Sequence, residues 1–251
     1  MKSFLALTAL AFVSCSAARN LTVVNNCAFT IWPAHFTDPT SGSSRPDYPT
    51  GWTQESHQSV SFSVPDSWIG GRIWARRECD FSANPGPNSC LDGGCDGGLE
   101  CTGTGAPPAT LAEFALGSAG GTDYVDVSIV DGFNLPMRIS NNKGCPAPDC
   151  PVDLNPNCPA ELKGPFDSSG SPVGCKSSCE AGLGDPVNNP NCCTGTHGTP
   201  ATCPPSGVAY YSYFKGNCPN SYVFVYDNSG GAPQWVCTAS QKADYTVTFC
   251  P

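Results

Sequence analysis

The number of cysteines constrains this chain more than any other feature. Seventeen cysteines occur in 251 residues, and the first of them, Cys15, lies inside an N-terminal apolar segment. Removal of that segment as a leader leaves sixteen, and an even number at this density in an exported chain is typical of a disulfide framework. Each native bridge contributes about 2–5 kcal/mol, mainly by restricting the unfolded chain. We therefore expect a loop-rich fold that disulfides hold together.

Residues 1–18 have the pattern of a secretory signal peptide. Lys2 precedes an apolar run over 4–13, and small residues at 14–18 provide a Ser-Ala-Ala cleavage site. The run is too short to cross a bilayer. A lipoprotein signal centred on Cys15 is the alternative, but Phe-Val-Ser is a poor lead-in to a lipidated cysteine. The sequence predicts that residues 19–251 form the mature protein, secreted to the extracellular space or the cell wall.

The cysteines lack the spacing of a metal site. Structural zinc sites use two-residue knuckles or nearby histidines, and the chain has only His35, His57 and His197. We predict no metal and no cofactor. No Gly-x-Ser-x-Gly elbow is present, and the bridges leave no cysteine free as a nucleophile. A hydrolase triad is therefore disfavoured.

Composition favours a β-protein with a neutral or cationic partner. The 27 glycines and 25 prolines favour turns over long helices. The formal charge of −9 becomes −10 when Lys2 is removed with the leader. Such a chain repels the phosphates of nucleic acid and the surface of anionic membranes. Neutral polysaccharide remains compatible.

Several segments have strand patterns. Residues 21–24 and 27–32 predict a hairpin around Asn25-Asn26, followed by a long surface loop over 33–57. Residues 59–64 alternate, and 72–76 alternate with Arg72, Trp74 and Arg76 on one face. Residues 210–214, 222–226 and 245–249 also predict strands. A Cys- and Gly-rich excursion covers 79–108, and a disulfide-rich insertion covers about 144–203, so we predict a β-sandwich or barrel with loop-rich additions.

The strand that begins at Tyr124 carries two acidic residues. Val125, Val127 and Ile129 are expected to face the core, which places Asp126 on the opposite face. Asp131 has the wrong parity to join Asp126 on a straight strand. Asp131-Gly132 is a turn signal, however, so a bend there releases the parity constraint.

Four stretches of the chain resemble the thaumatin-like family, also called pathogenesis-related group five. They are GRIWAR at 71–76 leading to Cys79, CDGGLECTG at 95–103, PPATLAEF at 107–114 and VSIVDGFNLPM at 127–137. The closing VTFCP at 247–251 also fits, so the resemblance runs from about residue 21 to the end. The Pro-rich loop after Trp32, with PTGW at 49–52, looks more like fungal members, and the acidic residues make the chain glycoside hydrolase-like.

The resemblance implies a mainly β fold, a flattened β-sandwich flanked by disulfide-rich loop domains. It also implies eight cysteine pairs, which sequence spacing alone does not select. The implied pairs are Cys27–Cys250, Cys79–Cys90, Cys95–Cys101, Cys145–Cys237, Cys150–Cys218, Cys158–Cys175, Cys179–Cys192 and Cys193–Cys203.

The resemblance further implies an acidic cleft lined by one Arg, one Glu and three Asp. The matching positions are Arg72, Glu113, Asp126, Asp131 and Asp227. The family often has two consecutive Asp at the last position, where this chain has Asp227 followed by Asn. The stretch DGGC at 92–95 also departs from the usual Thr-Gly-Asp-Cys, which affects local loop geometry more than the cleft.

Such a cleft suits glycoside hydrolysis, which needs one protonated and one ionised carboxyl group. Crowded carboxylates raise a pKa by repulsion, while an Arg favours the ionised form. We predict Glu113 as the acid, Asp131 or Asp126 as the base, and Arg72 and Asp227 as substrate-binding residues.

Each acidic residue also has a structural interpretation. Thr110-Leu-Ala-Glu113 fits a helix capping box as well as a strand with Glu113 facing outward, and the resemblance favours the strand. Asp131 before a glycine is by itself more often a turn residue. Asp126 is compatible with a position on a solvated strand face, and Arg72 is compatible with the role of a structural ion-pair partner.

Three classes of function are compatible with this pattern. The first is weak endo-β-1,3-glucanase activity on cell-wall glucan. The second is glucan binding without cleavage, as in an antifungal, defence or wall-remodelling protein, and the third is inhibition of another enzyme. We expect a monomer whose partner is β-1,3-glucan. Asn20-Leu-Thr is the only glycosylation acceptor pattern.

Overall fold

The computed structural model describes residues 18–83, 85–230 and 234–251. Two five-stranded sheets dominate it, so the predicted β-sandwich is confirmed. The predicted signal peptide lies almost wholly outside the described residues, because the first described residue is Ala18. Among the described residues, no helix is both long and apolar enough to cross a membrane.

The first sheet joins the two ends of the mature chain. Its strands lie in the order β3-β1-β10-β7-β8, and β1 pairs in parallel with β10. The strand bounds are β1 Ala18–Asn25, β3 Ser59–Pro65, β7 Met137–Asn141, β8 Asp149–Cys150 and β10 Tyr245–Phe249. The alternation predicted for 59–64 is confirmed, since Phe62 and Val64 are buried while Ser61 and Ser63 are exposed.

The second sheet carries the charged residues that the sequence singles out. Its strands lie in the order β2-β4-β5-β6-β9, and every pairing is antiparallel. The bounds are β2 Trp32–Thr37, β4 Ile69–Arg76, β5 Leu111–Ser118, β6 Thr122–Ser128 and β9 Val236–Thr238. Because Glu113 lies within β5, the strand interpretation of residues 110–116 is confirmed and the capping-box alternative is wrong.

The main core fills the space between the two sheets. Inward residues of β4, β5 and β6 pack there against inward residues of β1, β7 and β10. The inward members from the second sheet include Ile73, Ala75, Ala112, Phe114, Leu116, Val125 and Val127. A smaller cluster lies on the outer face of the second sheet and contains Trp74 and Leu111. The outer face therefore has a partly apolar floor.

Eight disulfides cross-link the molecule, and they are the same eight pairs that the family resemblance implies. Cys27–Cys250 spans 223 residues and closes the β1–β10 edge of the fold. Six of the eight cysteines in the 144–203 region pair with one another, and the regular structure of that region is limited to β8 and the 3-10 turn Gly195–His197. Bridges thus replace sheet hydrogen bonds there.

The predicted hairpin around Asn25-Asn26 is wrong. Both edges of β1 are already occupied by β3 and β10, so β1 has no edge to offer residues 27–32. The buried Asn25 side chain instead accepts a hydrogen bond from the Cys27 amide at 3.0 Å and donates one to the Phe29 carbonyl at 2.9 Å. This turn carries the chain from one sheet to the other.

The predicted surface loop over 33–57 is partly wrong. Residues 32–37 form β2, in which Pro33, Ala34 and His35 are buried. The His35 ring stacks on Phe62 with centroids 5.6 Å apart, and Trp52 is buried beside it. Pro33 is compatible with the strand because β2 lies at the sheet edge, where proline is tolerated.

Residues 210–214 and 222–226 are not strands, contrary to prediction. The first segment begins the one α-helix of the described residues, α1 Tyr211–Asn217, which buries Phe214 and directs Lys215 towards Asp227. The second segment forms one bridge from Tyr222 to Ser128 and then turns. Aromatic residues favour strands only where neighbouring strands are present, and tertiary packing decides here.

Candidate functional site

A charged row crosses the outer face of the second sheet. Arg72 of β4 stands opposite Glu113 of β5, and Glu113 stands opposite Asp126 of β6. Cross-strand partners share a face, and their strand neighbours point to the opposite face. Since the neighbours Ile73, Phe114 and Val127 are in the main core, the three charged side chains face away from it.

Arg72 and Glu113 form an ion pair on this row. Arg72 Nε lies 3.0 Å from Glu113 Oε1, and the two side chains are 35% and 29% exposed. An ion pair with this exposure contributes little to stability. Because both side chains are partly exposed, the guanidinium and the carboxylate are accessible to a ligand.

Asp131 joins the row because β6 ends before it. The strand ends at Ser128, and a turn follows in which the Gly132 amide donates to the Ile129 carbonyl at 3.0 Å. Gly132 has φ 85°, and a Cβ there would meet Pro108 Cβ at 2.8 Å, so only glycine fits without strain. The bend predicted from Asp-Gly is confirmed, and it brings Asp131 to the same cavity as Glu113.

An open cavity of about 320 Å³ lies over this row. It is bounded on one side by the sheet and on the other by the chain segment after α1. Its lining consists of Arg72, Leu111, Glu113, Ser128, Val130, Asp131, Tyr222, Phe224, Val225 and Asn228. We call this space the acidic cleft.

Burial raises the pKa of all three acids around the cleft. Glu113 has its pKa raised by burial and also by the charge of Asp131, while Arg72 opposes the rise. Asp131 has its pKa raised by burial against the same opposing charge. Asp126 has its pKa raised well above the usual range by burial and by Glu113. The site therefore favours protonated carboxyl groups at mildly acidic pH.

Asp126 lies behind the cleft rather than in it. It is not among the lining residues, and its Oδ1 is buried without a hydrogen-bond partner. Such an oxygen is costly to leave ionised, which agrees with the strong rise in its pKa. Of the two alternatives for the base, Asp131 is the one that lines the cleft with Glu113.

Comparison with known proteins assigns the family. A sequence model described as the Thaumatin family matches residues 25–251. The chain belongs to the thaumatin family.

Curated relatives in this family match over nearly the full chain. Thaumatin-like protein 1 of Arabidopsis thaliana is 42% identical, covering 99% of this chain and 92% of its own. Pathogenesis-related thaumatin-like protein 3.5 of Cryptomeria japonica is 41% identical, covering 96% and 93%. A protein of Prunus avium named glucan endo-1,3-beta-glucosidase is 39% identical, covering 98% and 96%. The fungal character inferred from the loop after Trp32 stays a prediction.

The thaumatin-family expectation that Asp227 binds substrate does not fit this chain. Asp227 is 1% exposed, and its carboxylate accepts hydrogen bonds from Tyr211 Oη at 2.9 Å, Lys215 Nζ at 2.8 Å and the Val223 amide at 3.0 Å. These donors occupy both oxygens. Asp227 is therefore a structural residue that fixes α1 to the following turn, and Asn228 lines the cleft instead.

Three residues near the cleft are not among the predicted site residues. Ser128 forms a hydrogen bond that lowers the pKa of Glu113 against the effect of burial. Tyr222 lines the cleft, and burial, with the charges of Asp126 and Asp227, raises its pKa to about 12. In the strand from Tyr124, Ser128 has the same parity as Asp126 and so shares its outer face, which is the signal that identifies Ser128. Tyr222 carries no comparable local signal.

Glu180 is the third residue that the sequence analysis missed. It lines a second cavity of about 150 Å³ that also contacts Asp131, and its pKa is raised by burial and by the charge of Asp131. It comes from the disulfide-rich region, far from β5 and β6 in sequence. Only the tertiary fold brings it close to the acidic cleft.

The described part of the chain contains no group of three or more His, Cys, Asp or Glu residues arranged to hold a metal ion. The chemistry available in the cleft is that of carboxyl groups with raised pKa beside a guanidinium. Such a set can donate a proton, accept one, and hydrogen-bond the hydroxyl groups of a neutral ligand.

Proposed function

We propose that this thaumatin-family protein binds β-1,3-glucan in the acidic cleft and slowly hydrolyses internal linkages. The observation that carries the proposal is the pair of carboxyl groups, Glu113 and Asp131, that lines one open cavity beside Arg72 with pKa values raised by burial. The relative named glucan endo-1,3-beta-glucosidase supports the choice of substrate.

In the proposed mechanism Glu113 is the proton donor. An ionised Asp131 raises the pKa of Glu113, which favours Glu113 as the protonated partner of the pair. Glu113 gives its proton to the glycosidic oxygen while the bond from that oxygen to the anomeric carbon breaks. Asp131 assists attack on that carbon, either directly or by taking a proton from water. Arg72 limits the rise in both pKa values.

Asp126 acts as a positioning residue in this scheme. Its strongly raised pKa keeps it neutral under conditions where Asp131 is ionised. With Glu113 protonated and Asp131 ionised, a neutral Asp126 behind Glu113 avoids a second negative charge at the reacting pair. It does not contact the substrate.

The protein is proposed to act outside the cell. The leader pattern of residues 1–18 and the eight disulfides both favour an oxidising, extracellular environment. There a wall glucan, which is neutral and rich in hydroxyl groups, is compatible with an acidic chain whose formal charge is −10 without residues 1–18.

The test is release of reducing ends from soluble β-1,3-glucan by the purified protein. Glu113→Gln is expected to abolish release, at least a hundredfold loss, because removal of a general acid costs about 10²–10⁴ in rate. Glu78→Gln is the matched control, since Glu78 is exposed and outside the cleft. Release that survives Glu113→Gln contradicts the catalytic assignment. Binding to insoluble glucan without release supports a binding protein, and failure of both contradicts the glucan proposal.

A further inference from the structure

The charged row of the second sheet does not end at Arg72. Phe36 of β2 stands opposite Arg72, so one row runs Phe36, Arg72, Glu113 and Asp126 across four neighbouring strands. Neighbouring strands lie about 4.8 Å apart, so the backbone of Phe36 is about 10 Å from that of Glu113. An aromatic side chain thus lies on the same face as the acids, two strands away from the proton donor.

Phe36 is held in place but not covered. It is half-buried and packs against the small outer-face cluster that contains Ala34, Trp74 and Leu111. Packing of one side fixes the ring, while the remaining surface stays accessible. A fixed aromatic ring offers large apolar area at low entropic cost, and sugar rings present matching C–H faces.

A second cavity lies beside Phe36, and we call it the β2 pocket. Its volume is about 540 Å³, compared with about 320 Å³ for the acidic cleft. Its lining includes Phe36, Thr37, Pro39, Arg45, Glu100 and Thr102. One cation and one anion balance, and the threonines supply hydroxyl groups. This lining suits a neutral ligand that both donates and accepts hydrogen bonds, rather than an ionic one.

The two cavities share one floor. Leu111 lines the acidic cleft, Cys101 lines the β2 pocket, and both belong to the cluster against which Phe36 packs.

We propose that the β2 pocket binds further sugar units of the same glucan chain that occupies the acidic cleft. Phe36 is the stacking platform between the two, and Arg45 and Glu100 hydrogen-bond sugar hydroxyl groups beyond it. The inference rests on the proposed glucan function and deepens it. The protein then recognises a long segment of polysaccharide, which favours cleavage or retention within a chain rather than at its end.

Calorimetric titration with linear β-1,3-gluco-oligosaccharides of graded length tests this inference. The Glu113→Gln protein is used throughout so that the ligands stay intact. Affinity is expected to rise from short ligands of two or three units to long ligands of six or more. Adding Phe36→Ala is expected to lower the affinity for long ligands about three- to tenfold, which corresponds to the loss of one aromatic contact. The affinity for short ligands is expected to stay unchanged.

A second variant tests the β2 pocket without changing the packing of Phe36, in case Phe36→Ala does not fold. Arg45 and Glu100 are exposed, so Arg45→Ala with Glu100→Gln leaves the packing intact and is expected to show the same length-selective loss. Phe166→Ala is the control, since Phe166 is 51% exposed and lines neither cavity. If the variants weaken the binding of ligands of every length equally, or if affinity does not rise with ligand length, the extended groove is contradicted. The proposed glucan function is not contradicted by that result. No binding at any length overturns both proposals.

Discussion

At the scale of single residues, the environment decides what each acid can do. Glu113, Asp126 and Asp131 are ordinary carboxyl groups in the sequence, yet only Glu113 and Asp131 line the cleft. Asp227 matches the family pattern, but its carboxylate already accepts hydrogen bonds from three donors within the protein. A residue type at the right position is therefore necessary for a site but not sufficient for it.

Arg72 is the residue whose charge controls all three acids around the cleft. It opposes the rise in the pKa of Glu113, Asp126 and Asp131. Arg72→Gln is therefore expected to raise these pKa values further and to move the acidic limb of the activity profile to higher pH. Side-chain carboxyl titration by NMR measures the shift.

The matched control for Arg72 is Arg138→Gln. Arg138 also pairs with a strand carboxylate, Asp149, but lies on the other sheet. It is expected to leave the titration of Glu113 and Asp131 unchanged. Unchanged titration in Arg72→Gln would contradict the role assigned to Arg72.

At the scale of elements, the first and last strands of the described chain depend on each other. β1 lies between β3 and β10, and its parallel pairing with β10 is closed by Cys27–Cys250. Parallel strands need a long connection, and here the connection is nearly the whole chain. The bridge therefore removes a large loop entropy from the unfolded state.

Loss of the Cys27–Cys250 bridge is expected to destabilise the fold more than loss of a short-range one. Cys27→Ala with Cys250→Ala is expected to cost about 5 kcal/mol in the free energy of unfolding, by the chain-entropy relation. The control pair, Cys79→Ala with Cys90→Ala, spans 11 residues and is expected to cost about 2.5 kcal/mol less. Urea unfolding of both double variants measures the difference, and equal losses would contradict the expectation.

At the scale of the whole molecule, two sets of acids respond to pH in opposite directions. Burial raises the pKa of Asp92 to about 7 and also raises the pKa values of Glu113, Asp126 and Asp131. Hydrogen bonds to neighbouring side chains and amides lower the pKa of Asp38, Asp80, Asp167 and Asp185.

The signs of these shifts predict where the protein is most stable. A raised pKa means that the folded state holds protons which the unfolded state releases, so stability falls as pH rises above the usual range near 4. A lowered pKa contributes stability that is lost as pH falls below that range. Urea unfolding across pH 3–8 is therefore expected to show maximal stability near pH 4–5 and a decline towards pH 8.

Asp126→Asn isolates one contribution to this profile. It removes the buried carboxyl group, so it is expected to stabilise the protein at pH 7 by about 1 kcal/mol. The gain is expected to shrink as the pH falls towards 4 and to vanish below it, because the unfolded-state carboxyl group, with a pKa of about 3.9, then also takes up its proton. Asp47→Asn, at an exposed position, is the control and is expected to give no such gain. A gain independent of pH would contradict the explanation.

The strand patterns and the family motifs together determined much of the sheet that carries the site. Alternation correctly predicted β3, β4, β6 and β10, because one buried face imposes a period of two on the sequence. The Asp-Gly signal correctly predicted the bend that turns Asp131 into the cleft. These features depend on local geometry, which is determined by residues close together in the sequence.

Only the tertiary structure decided which elements meet. It excluded the hairpin at Asn25 because β3 and β10 occupy both edges of β1, and it formed a helix from the aromatic residues at 211–217. It buried Asp227, set Asp126 behind Glu113, placed Phe36 at the β2 pocket, and placed Glu180 at a cavity that also contacts Asp131. The hydrogen bonds and the pKa values of these residues depend on burial and on long-range contacts. Both arise from residues far apart in the chain, so the sequence pattern does not reveal them.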